Sequence, residues 1–327
     1  MRVGVIGPDE VDDFAWLIAR GFRQLNCDVV EFGSAFGSPW SRGRRLEAIR
    51  RTAFREERVA EFGTRALLRK IESAELDLIV TVESLPPILV QHLAALGIRT
   101  ALWFPDHISN LGSLWMFRAP YTALFFKEPV LVRTLSRTYG YPVHYLAECC
   151  DPSLHRPEHG EQVASIAVVG NMYATRVHLL NKLHADGIPL TLYGGVSSDF
   201  LKGTPLDALH TKKYLRGTEK AQVFRNSTAV LNNMHPGEIE GVNARLFEAT
   251  GSGAVVVSEF KAELPRLFEI GREVLTFSAY EDLRETLMEL LSVGGIAREI
   301  GDAASERSHT DHTYEVRLRT LLEVAMR

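Results

Sequence analysis

Short apolar runs alternate with amphipathic stretches along most of the chain. The apolar runs predict strands at residues 2–7, 28–33, 77–83, 99–104, 121–126 and 143–147, and then at 165–170, 190–194, 229–233, 254–258 and 274–277. The stretches between them have helical spacing, around 11–25, 44–73, 86–96, 129–139, 175–186, 219–227, 242–251, 262–269 and 281–292, and the chain is helical in pattern beyond residue 294. Strands and helices that alternate in this way predict α/β units with parallel sheets.

The strand candidates are continuously apolar rather than alternating. Residues 78–80 (Leu-Ile-Val) and 254–257 (Ala-Val-Val-Val) contain no polar position, which is typical of strands covered by helices on both faces. The pattern stops at the polar, proline-bearing stretch 151–164, which predicts a linker. We therefore expect two Rossmann-like, doubly wound α/β domains facing across a cleft, at residues 1–155 and 156–309, with a C-terminal helix at 310–327 packing toward the first domain. Ligands of such sheets bind outside the carboxyl ends of the strands.

Composition and charge narrow the class of protein. The 327 residues are 46% hydrophobic and 24% charged, as in an ordinary soluble globular protein. The net charge of −4 argues against a protein built to bind nucleic acid. Three cysteines fit a reducing compartment, and we see neither a signal peptide nor an apolar window long enough to span a membrane. The sequence therefore predicts a cytoplasmic protein.

Common catalytic and cofactor motifs are missing from the loops that follow the predicted strands. There is no G-x-G-x-x-G after a strand, no phosphate-binding G-x-x-x-x-G-K-[ST], no H-E-x-x-H and no G-x-S-x-G. Redox, kinase and hydrolase functions thereby lose their usual support.

The most informative stretch is residues 231–253. A predicted strand ends near Asn233, a glycine-bearing loop follows, and a predicted helix starts near Asn243. The backbone N–H groups of such a helix start favour an anion, and Gly241 allows its close approach. Arg245 adds a positive charge suited to a diphosphate.

Two glutamates frame this helix start. Glu240 lies in the loop before the helix and Glu248 lies about two turns along it. Glu248 can accept hydrogen bonds from vicinal ribose hydroxyls, while Glu240 meets hydroxyls of a sugar beyond the phosphates. The alternative is a capped amphipathic helix with solvated glutamates.

Residues 241–249 (Gly-Val-Asn-Ala-Arg-Leu-Phe-Glu-Ala), followed by 251–259 (Gly-Ser-Gly-Ala-Val-Val-Val-Ser-Glu), resemble the donor-site signature of GT-B glycosyltransferases. They are similar in particular to the CgeB-like, spore-maturation-protein group, with a glycosyltransferase group 1-type C-terminal domain. Further segments that carry the resemblance are 168–173 with Arg176, 192–194, 312–317, 103–106 and 145–152. The resemblance covers the chain from about residue 99 to the end.

The resemblance implies a GT-B fold and transfer of a sugar from a nucleotide-diphosphate-sugar donor, a UDP-sugar above all, to an acceptor hydroxyl. It implies that Glu240 contacts the donor sugar, that Glu248 contacts the ribose, and that Arg176 stabilises the leaving diphosphate. Neither a metal nor a further cofactor is implied, since helix N-termini and arginines can neutralise the charge. The other expected donor contacts are Gly170, Asn171, Tyr193, Gly194, Gly217, Gly241, Asn243 and Arg245.

The residues expected around the diphosphate depart at one position from the pattern of the related glycosyltransferases. Relatives with such a glutamate pair often have a lysine beside the arginine. In this sequence Asn171 follows Gly170 directly, and Lys182 lies deeper in the predicted helix. We therefore expect Arg176 to act alone or with Arg245.

The first domain is expected to carry the acceptor. Asp106 and His107 end a predicted strand and are candidates for acid/base catalysis or a sugar contact. The alternative is a helix cap formed by Asp106 with His107 exposed. An inverting enzyme would use one of the two as a base, whereas in a retaining enzyme the leaving phosphate can take the proton. Glu83 is a second candidate, with a structural role beside a loop as the favoured alternative.

A basic amphipathic helix is predicted over residues 42–58, which hold seven arginines and three glutamates. One interpretation is a peripheral contact with an anionic membrane or a phosphorylated acceptor. Another is a solvated helix face. A contact with nucleic acid would make the protein a nucleic-acid-modifying glycosyltransferase, the least favoured of the three. A protein that binds a nucleotide or glycan without turnover is the alternative to an enzyme.

Overall fold

The structure is a computed structural model that describes residues 1–35, 57–108, 114–157, 160–195, 199–292 and 297–327, without the side chains of 57–63 and 297. The chain forms two compact units. One consists of Met1–Ala147 with Tyr314–Arg327, and the other of Glu148–Thr313. The boundaries expected from the sequence lay at residues 155 and 309.

The first unit is built on a parallel sheet of six strands. These are β1 (Arg2–Ile6), β2 (Asp28–Glu31), β3 (Leu78–Thr81), β4 (Arg99–Phe104), β5 (Ala123–Phe126) and β6 (Val143–Tyr145), in the order β2-β1-β3-β4-β5-β6. Its helices among the described residues are α1 (Phe14–Gln24), α2 (Glu57–Glu72), α3 (Pro87–Ala95), α4 (Pro129–Tyr139) and α11 (Tyr314–Ala325). Every residue of β3 is buried, as its continuous apolar run predicts for a strand covered on both faces.

The C-terminal helix α11 is part of this first unit and packs on α1. A Cβ at Gly21 of α1 would lie 2.7 Å from Leu318 Cδ1 and 2.9 Å from Tyr314 Cβ. The glycine therefore allows the two helices to approach closely. Arg317 of α11 also donates a hydrogen bond from Nε to the carbonyl oxygen of Ala147 at 3.0 Å. The predicted return of the C-terminal helix to the first domain is confirmed.

The second unit has a parallel sheet of five strands. These are β7 (Val163–Val169), β8 (Leu190–Tyr193), β9 (Ser227–Asn232), β10 (Val256–Glu259) and β11 (Leu275–Phe277), in the order β11-β10-β9-β7-β8. The helices described here are α5 (Ala174–Ala185), α6 (Gly217–Asn226), α7 (Ala244–Gly251), α8 (Leu264–Leu267), α9 (Tyr280–Ser292) and α10 (Ala297–Asp311). Helix α6 begins two residues before its predicted start, and α8 is a single turn within the predicted 262–269.

The strand order of the second unit determines where a ligand can bind. The chain runs from β7 outward to β8, then returns past β7 to β9 and continues outward on the other side. The order therefore reverses between β7 and β9. In open parallel sheets the crevice outside the carboxyl ends at such a reversal is the usual ligand site. The loops after β7 and β9 are those that the sequence analysis selected.

Two further predictions concern the basic helix at residues 42–58 and the absence of a membrane-spanning segment. The basic stretch 42–58 falls outside the described residues, apart from the first backbone residues of α2. Among the described helices, none combines the length and the apolar character required to cross a membrane.

Candidate functional site

Arg176 lies in the first turn of α5, just after the loop that follows β7, and only 2% of its surface is exposed. Its guanidinium donates three hydrogen bonds to neutral acceptors. Nε and Nη2 bind the side-chain and backbone oxygens of Asn233 at 2.8 and 2.9 Å, and Nη1 binds the backbone oxygen of Asn171 at 2.9 Å. The ring of Tyr173 lies under the guanidinium, 4.7 Å away. The side chain is thus held in place at the carboxyl end of β7 and β9.

A second arginine reaches the same place from α7. Arg245 lies in the first turn of that helix and donates a hydrogen bond from Nη1 to Asn232 Oδ1 at 3.1 Å. A Cβ at Gly170 would overlap Arg245 Nη2 and would lie 3.5 Å from Arg176 Nη1. The backbone of Gly170 also has a φ of +113°, in the region that favours glycine. The structure therefore brings together Gly170 and both arginines.

The electrostatics of the two guanidinium groups are unfavourable in the ligand-free protein. Burial lowers the pKa of Arg176 to about 9, and the charge of Arg245 acts in the same direction. Burial also lowers the pKa of Arg245. Among the described residues, no carboxylate forms an ion pair with either guanidinium. Because two neighbouring cations withdrawn from water repel each other, an anion bound between them would offset the cost of holding them there.

Tyr173 connects the loop after β9 to α5. Its hydroxyl donates to the backbone oxygen of Met234 at 2.7 Å and accepts from Asn233 Nδ2 at 3.0 Å. The ring also meets the ring of His235 edge-on, with centroids 5.1 Å apart. Burial raises the pKa of the phenol.

Three residues of this site are absent from the residues that the sequence selected, namely Tyr173, Asn232 and Asn233. A weak signal for them was available. Tyr173 lies inside one of the segments that carry the family resemblance, and the two asparagines are polar residues at the end of an otherwise apolar strand.

The start of α7 carries a side-chain cap. Asn243 is the N-cap, with its side-chain oxygen 3.3 Å from the backbone nitrogen of Leu246. This bond satisfies one of the unpaired N–H groups of the first turn. Gly241 is buried just before the cap. The predicted start of the helix near Asn243 is confirmed to within one residue.

The two glutamates have different surroundings. Glu248 accepts a hydrogen bond from Lys220 Nζ at 2.8 Å, and 16% of its side chain is exposed. Although burial raises its pKa, the pKa of Glu248 is below its ordinary value because Lys220 and His155 favour the carboxylate. Glu240 is half-buried, and its backbone oxygen accepts from the nitrogen of Glu263 at 3.2 Å.

The end of β8 joins the loop after β7. The backbone nitrogen of Gly170 donates to the oxygen of Tyr193 at 2.9 Å, and burial raises the pKa of the half-buried Tyr193. A Cβ at Gly194 would lie 2.9 Å from the oxygen of Gly170 and 3.2 Å from His210 Nε2. Gly217 is the first residue of α6, with a φ of +53°. Two of the glycines predicted to contact the donor, Gly170 and Gly194, therefore lie where neighbouring atoms leave too little room for a Cβ.

Lys182 takes no part in the arginine cluster. Its Nζ lies 3.6 Å from the centroid of the Tyr280 ring. The hydroxyl of that tyrosine donates to Asp186 Oδ2 at 2.7 Å. The second cation near Arg176 is therefore Arg245, one of the two arrangements that the sequence left open.

The candidates of the first unit lie at the carboxyl ends of β3 and β4. Asp106 Oδ1 accepts a hydrogen bond from the backbone nitrogen of His107 at 2.7 Å, and Asp106 is exposed. The chemical role of this pair stays a prediction, and residues 109–113 after it lie outside the described part of the chain. Glu83 accepts from Ser34 Oγ at 2.6 Å and from the nitrogen of Ala35 at 2.8 Å. It therefore holds the loop after β2, which agrees with the structural role favoured above.

Comparison with known proteins agrees with this architecture. Residues 176–323 match a family model described as glycosyl transferase-like. A sucrose-phosphate synthase from Thermosynechococcus elongatus is similar in structure, with a TM-score of 0.70 and 12% identity over 99% of this chain and 98% of that one. Anabaena Alr3699/HepE, solved in complex with UDP, gives a TM-score of 0.65 and 12% identity over 99% of both chains.

A third similar structure is AviGT4, a glycosyltransferase involved in avilamycin A biosynthesis. It gives a TM-score of 0.59 and 13% identity over 100% of this chain and 97% of that one. No curated protein has a sequence that matches this chain. Two parallel Rossmann-like sheets and these neighbours establish the fold as GT-B, as predicted. The narrower likeness to the CgeB-like group stays a prediction.

Proposed function

We propose that this chain is a glycosyltransferase that moves a sugar from a nucleotide-diphosphate-sugar, a UDP-sugar, to an acceptor hydroxyl. The observation that carries the proposal is the pair Arg176 and Arg245, which converge on Gly170 and form no direct ion pair with a carboxylate among the described residues. The glycosyl transferase-like family model and a neighbour solved with UDP support the same conclusion.

The two arginines suit the charge that develops during glycosyl transfer. When the bond from the sugar to the phosphate breaks, negative charge accumulates on the leaving diphosphate and positive charge on the sugar carbon. A guanidinium binds phosphate oxygens through two parallel N–H donors. Because Arg176 is already fixed by Asn233 and Asn171, it stabilises the leaving group without having to reorganise.

The remaining donor contacts follow the path of the nucleotide along the sheet edge. The backbone at Gly170, Asn171, Gly241 and Asn243 faces the diphosphate, and Glu240 contacts the donor sugar. Glu248 accepts hydrogen bonds from the ribose hydroxyls. The nucleoside lies next to Tyr193, Gly194 and Gly217. The diphosphate assignment is supported by the place of both guanidinium groups beside Gly170, where an added Cβ would overlap Arg245 Nη2 and lie 3.5 Å from Arg176 Nη1.

We further propose that the reaction requires no metal and retains the configuration of the sugar, as in a hexosyltransferase. Two guanidinium groups supply the positive charge that a divalent cation supplies elsewhere. In a retaining reaction the leaving phosphate takes the proton of the acceptor hydroxyl, and Asp106 and His107 position the acceptor. An inverted product would instead make one of these two residues the general base.

The first test is release of free nucleotide from a panel of UDP-, GDP-, ADP- and dTDP-sugars, with and without EDTA. We expect release from a UDP-sugar that EDTA does not reduce. Arg176→Gln and Arg245→Gln should each lower the rate by about 100-fold, the scale on which one electrostatic donor affects catalysis. Arg272→Gln is the matched control, because 72% of that side chain is exposed.

The outcomes separate the hypotheses. Equal rates for the two site variants and the control would contradict the proposal. Tight binding of UDP without release, with or without sugar acceptors, would identify a binding protein rather than an enzyme. The anomeric configuration of the product, measured by NMR, distinguishes retention from inversion.

A further inference from the structure

Lys220 and Glu248 form an ion pair that is well shielded from water. Lys220 Nζ lies 2.8 Å from Glu248 Oε1, and the two side chains are 10% and 16% exposed. By contrast, the partners of the surface pair Arg272 and Glu269 are 72% and 60% exposed. A shielded ion pair is often no more stable than apolar side chains of the same size, because both charges lose their hydration. Stability alone therefore gives little reason for this pair.

The position of Lys220 in its helix adds a second cost. Lys220 lies in the first turn of α6, which begins at Gly217. The N-terminal end of a helix carries partial positive charge, so a cation there is electrostatically disfavoured. The observed partner that offsets this cost is the carboxylate of Glu248, 2.8 Å from the ammonium group.

The carboxylate of Glu248 keeps acceptor capacity beside the lysine. Among the described residues, Lys220 is the only one that donates a hydrogen bond to it. An ionised carboxylate has about four acceptor positions on its two oxygens. With Oε1 directed at the ammonium group, Oε2 remains for an incoming donor. The hydroxyls at the 2′ and 3′ positions of a ribose are such donors.

Glu248 is also electrically linked to the arginine pair. Its charge raises the pKa of Arg245, which lies one turn earlier on α7. The carboxylate thus contacts Lys220 directly and acts electrostatically on Arg245. In a nucleoside diphosphate, the ribose lies between the base and the phosphates.

We infer that Lys220 is a positioning residue that holds the Glu248 carboxylate for the ribose diol and thereby makes the site select ribonucleotide over 2′-deoxyribonucleotide donors. The inference rests on the proposed function. Without the ammonium group, the shielded carboxylate loses its partner and turns toward water or takes up a proton. In either state it is a poorer acceptor for the 2′ hydroxyl.

The test compares the dissociation constants of UDP and 2′-deoxy-UDP by calorimetry. We expect the wild type to prefer UDP by at least about 10-fold, the scale of one hydrogen bond to a charged group. Lys220→Met should reduce the preference to about 2-fold or less, mainly by weakening UDP, because only UDP has the 2′ hydroxyl that the carboxylate binds. Lys213→Met is the matched control, since Lys213 pairs with Glu219 of the same helix at the surface.

A double-mutant cycle shows whether Lys220 acts through Glu248. In the Glu248→Gln background, Lys220→Met should leave the preference for UDP unchanged. Equal weakening of UDP and 2′-deoxy-UDP by Lys220→Met would overturn the inference, because a structural role or a phosphate contact affects both ligands alike. A wild type that binds neither ligand would contradict the proposed function itself.

Discussion

Arg176 and Arg245 converge on one glycine from two different helices. A Cβ at Gly170 would overlap Arg245 Nη2 and lie 3.5 Å from Arg176 Nη1. The two guanidinium groups thus lie side by side where the strand order reverses, each fixed by asparagine or backbone oxygens. Cations held in this way suit the diphosphate of the proposed donor.

Replacing Gly170 by alanine should abolish this arrangement. The added Cβ displaces Arg245, so we expect UDP affinity to fall by at least about 10-fold. The strain at positive φ should also lower the free energy of unfolding by about 1 kcal/mol or more. Calorimetry with UDP and thermal unfolding measure the two effects.

Gly187→Ala is the matched control for that experiment. Gly187 has a φ of +81°, and no described atom lies within 4 Å of its Cβ position. This variant should lose stability from strain alone and keep its affinity for UDP. Equal UDP affinities in the two alanine variants would show that binding of the diphosphate does not depend on Arg245.

The lowered pKa of Arg176 predicts proton uptake on binding. Burial holds this pKa at about 9 in the ligand-free protein, and a bound diphosphate raises it. The binding of UDP should therefore take up a larger fraction of a proton at about pH 9 than near pH 7.5, where this group contributes almost none. Affinity for UDP should fall as the pH rises above 9. The diphosphate of UDP contributes nothing at pH 9, because the second ionisation of phosphate lies near pH 6. The uracil ring also titrates near pH 9, but it is common to the wild type and the Arg176→Gln variant.

Calorimetry in buffers of different ionisation enthalpy measures this uptake. In the Arg176→Gln variant, the proton uptake at pH 9 should no longer exceed the uptake at pH 7.5 because of this group. Uptake at pH 9 that persists in that variant would assign the titration to another group.

Substitutions at Asn243 separate helix capping from ligand binding. Asn243→Ala removes the bond to the nitrogen of Leu246 and should cost about 1 kcal/mol of stability. Asn243→Asp keeps a good cap but brings a negative charge to the helix start. It should therefore unfold like the wild type and bind UDP more weakly, whereas Asn243→Ser should retain both properties. An aspartate variant with wild-type affinity would place the diphosphate away from this helix start.

Gly21→Ala tests the packing of α11 on α1. Alanine favours a helix over glycine by up to about 1 kcal/mol. However, the new Cβ would lie 2.9 Å from Tyr314 Cβ, an atom that side-chain rotation cannot move. Overpacking costs about 1–3 kcal/mol, so we expect a net loss of stability with unchanged UDP affinity. A rise in the melting temperature would mean that the two helices separate easily.

Much of the fold follows from local patterns that the sequence displays. Continuous apolar runs located β3 and β10, and Asn243 marked the start of α7 to within one residue. The polar composition of residues 151–164, which predicted a linker, did not indicate which of these residues are buried. Asp151 and His155 in that stretch are buried. Local hydrogen bonds join Ser153 nitrogen to Asp151 Oδ1 at 2.8 Å and Asp151 nitrogen to His155 Nδ1 at 3.2 Å.

Periodicity, turn residues and strand ends were sufficient to locate the helices, the strands and the polar loops of both sheets, since each of these depends on neighbours a few positions away. By contrast, the tertiary structure alone decides which charged groups lie close together. Arg176 reaches Arg245 because β9 lies directly beside β7, and Lys220 reaches Glu248 across 28 positions of the chain. No spacing in the chain encodes such pairs, because strand order and helix packing bring them together.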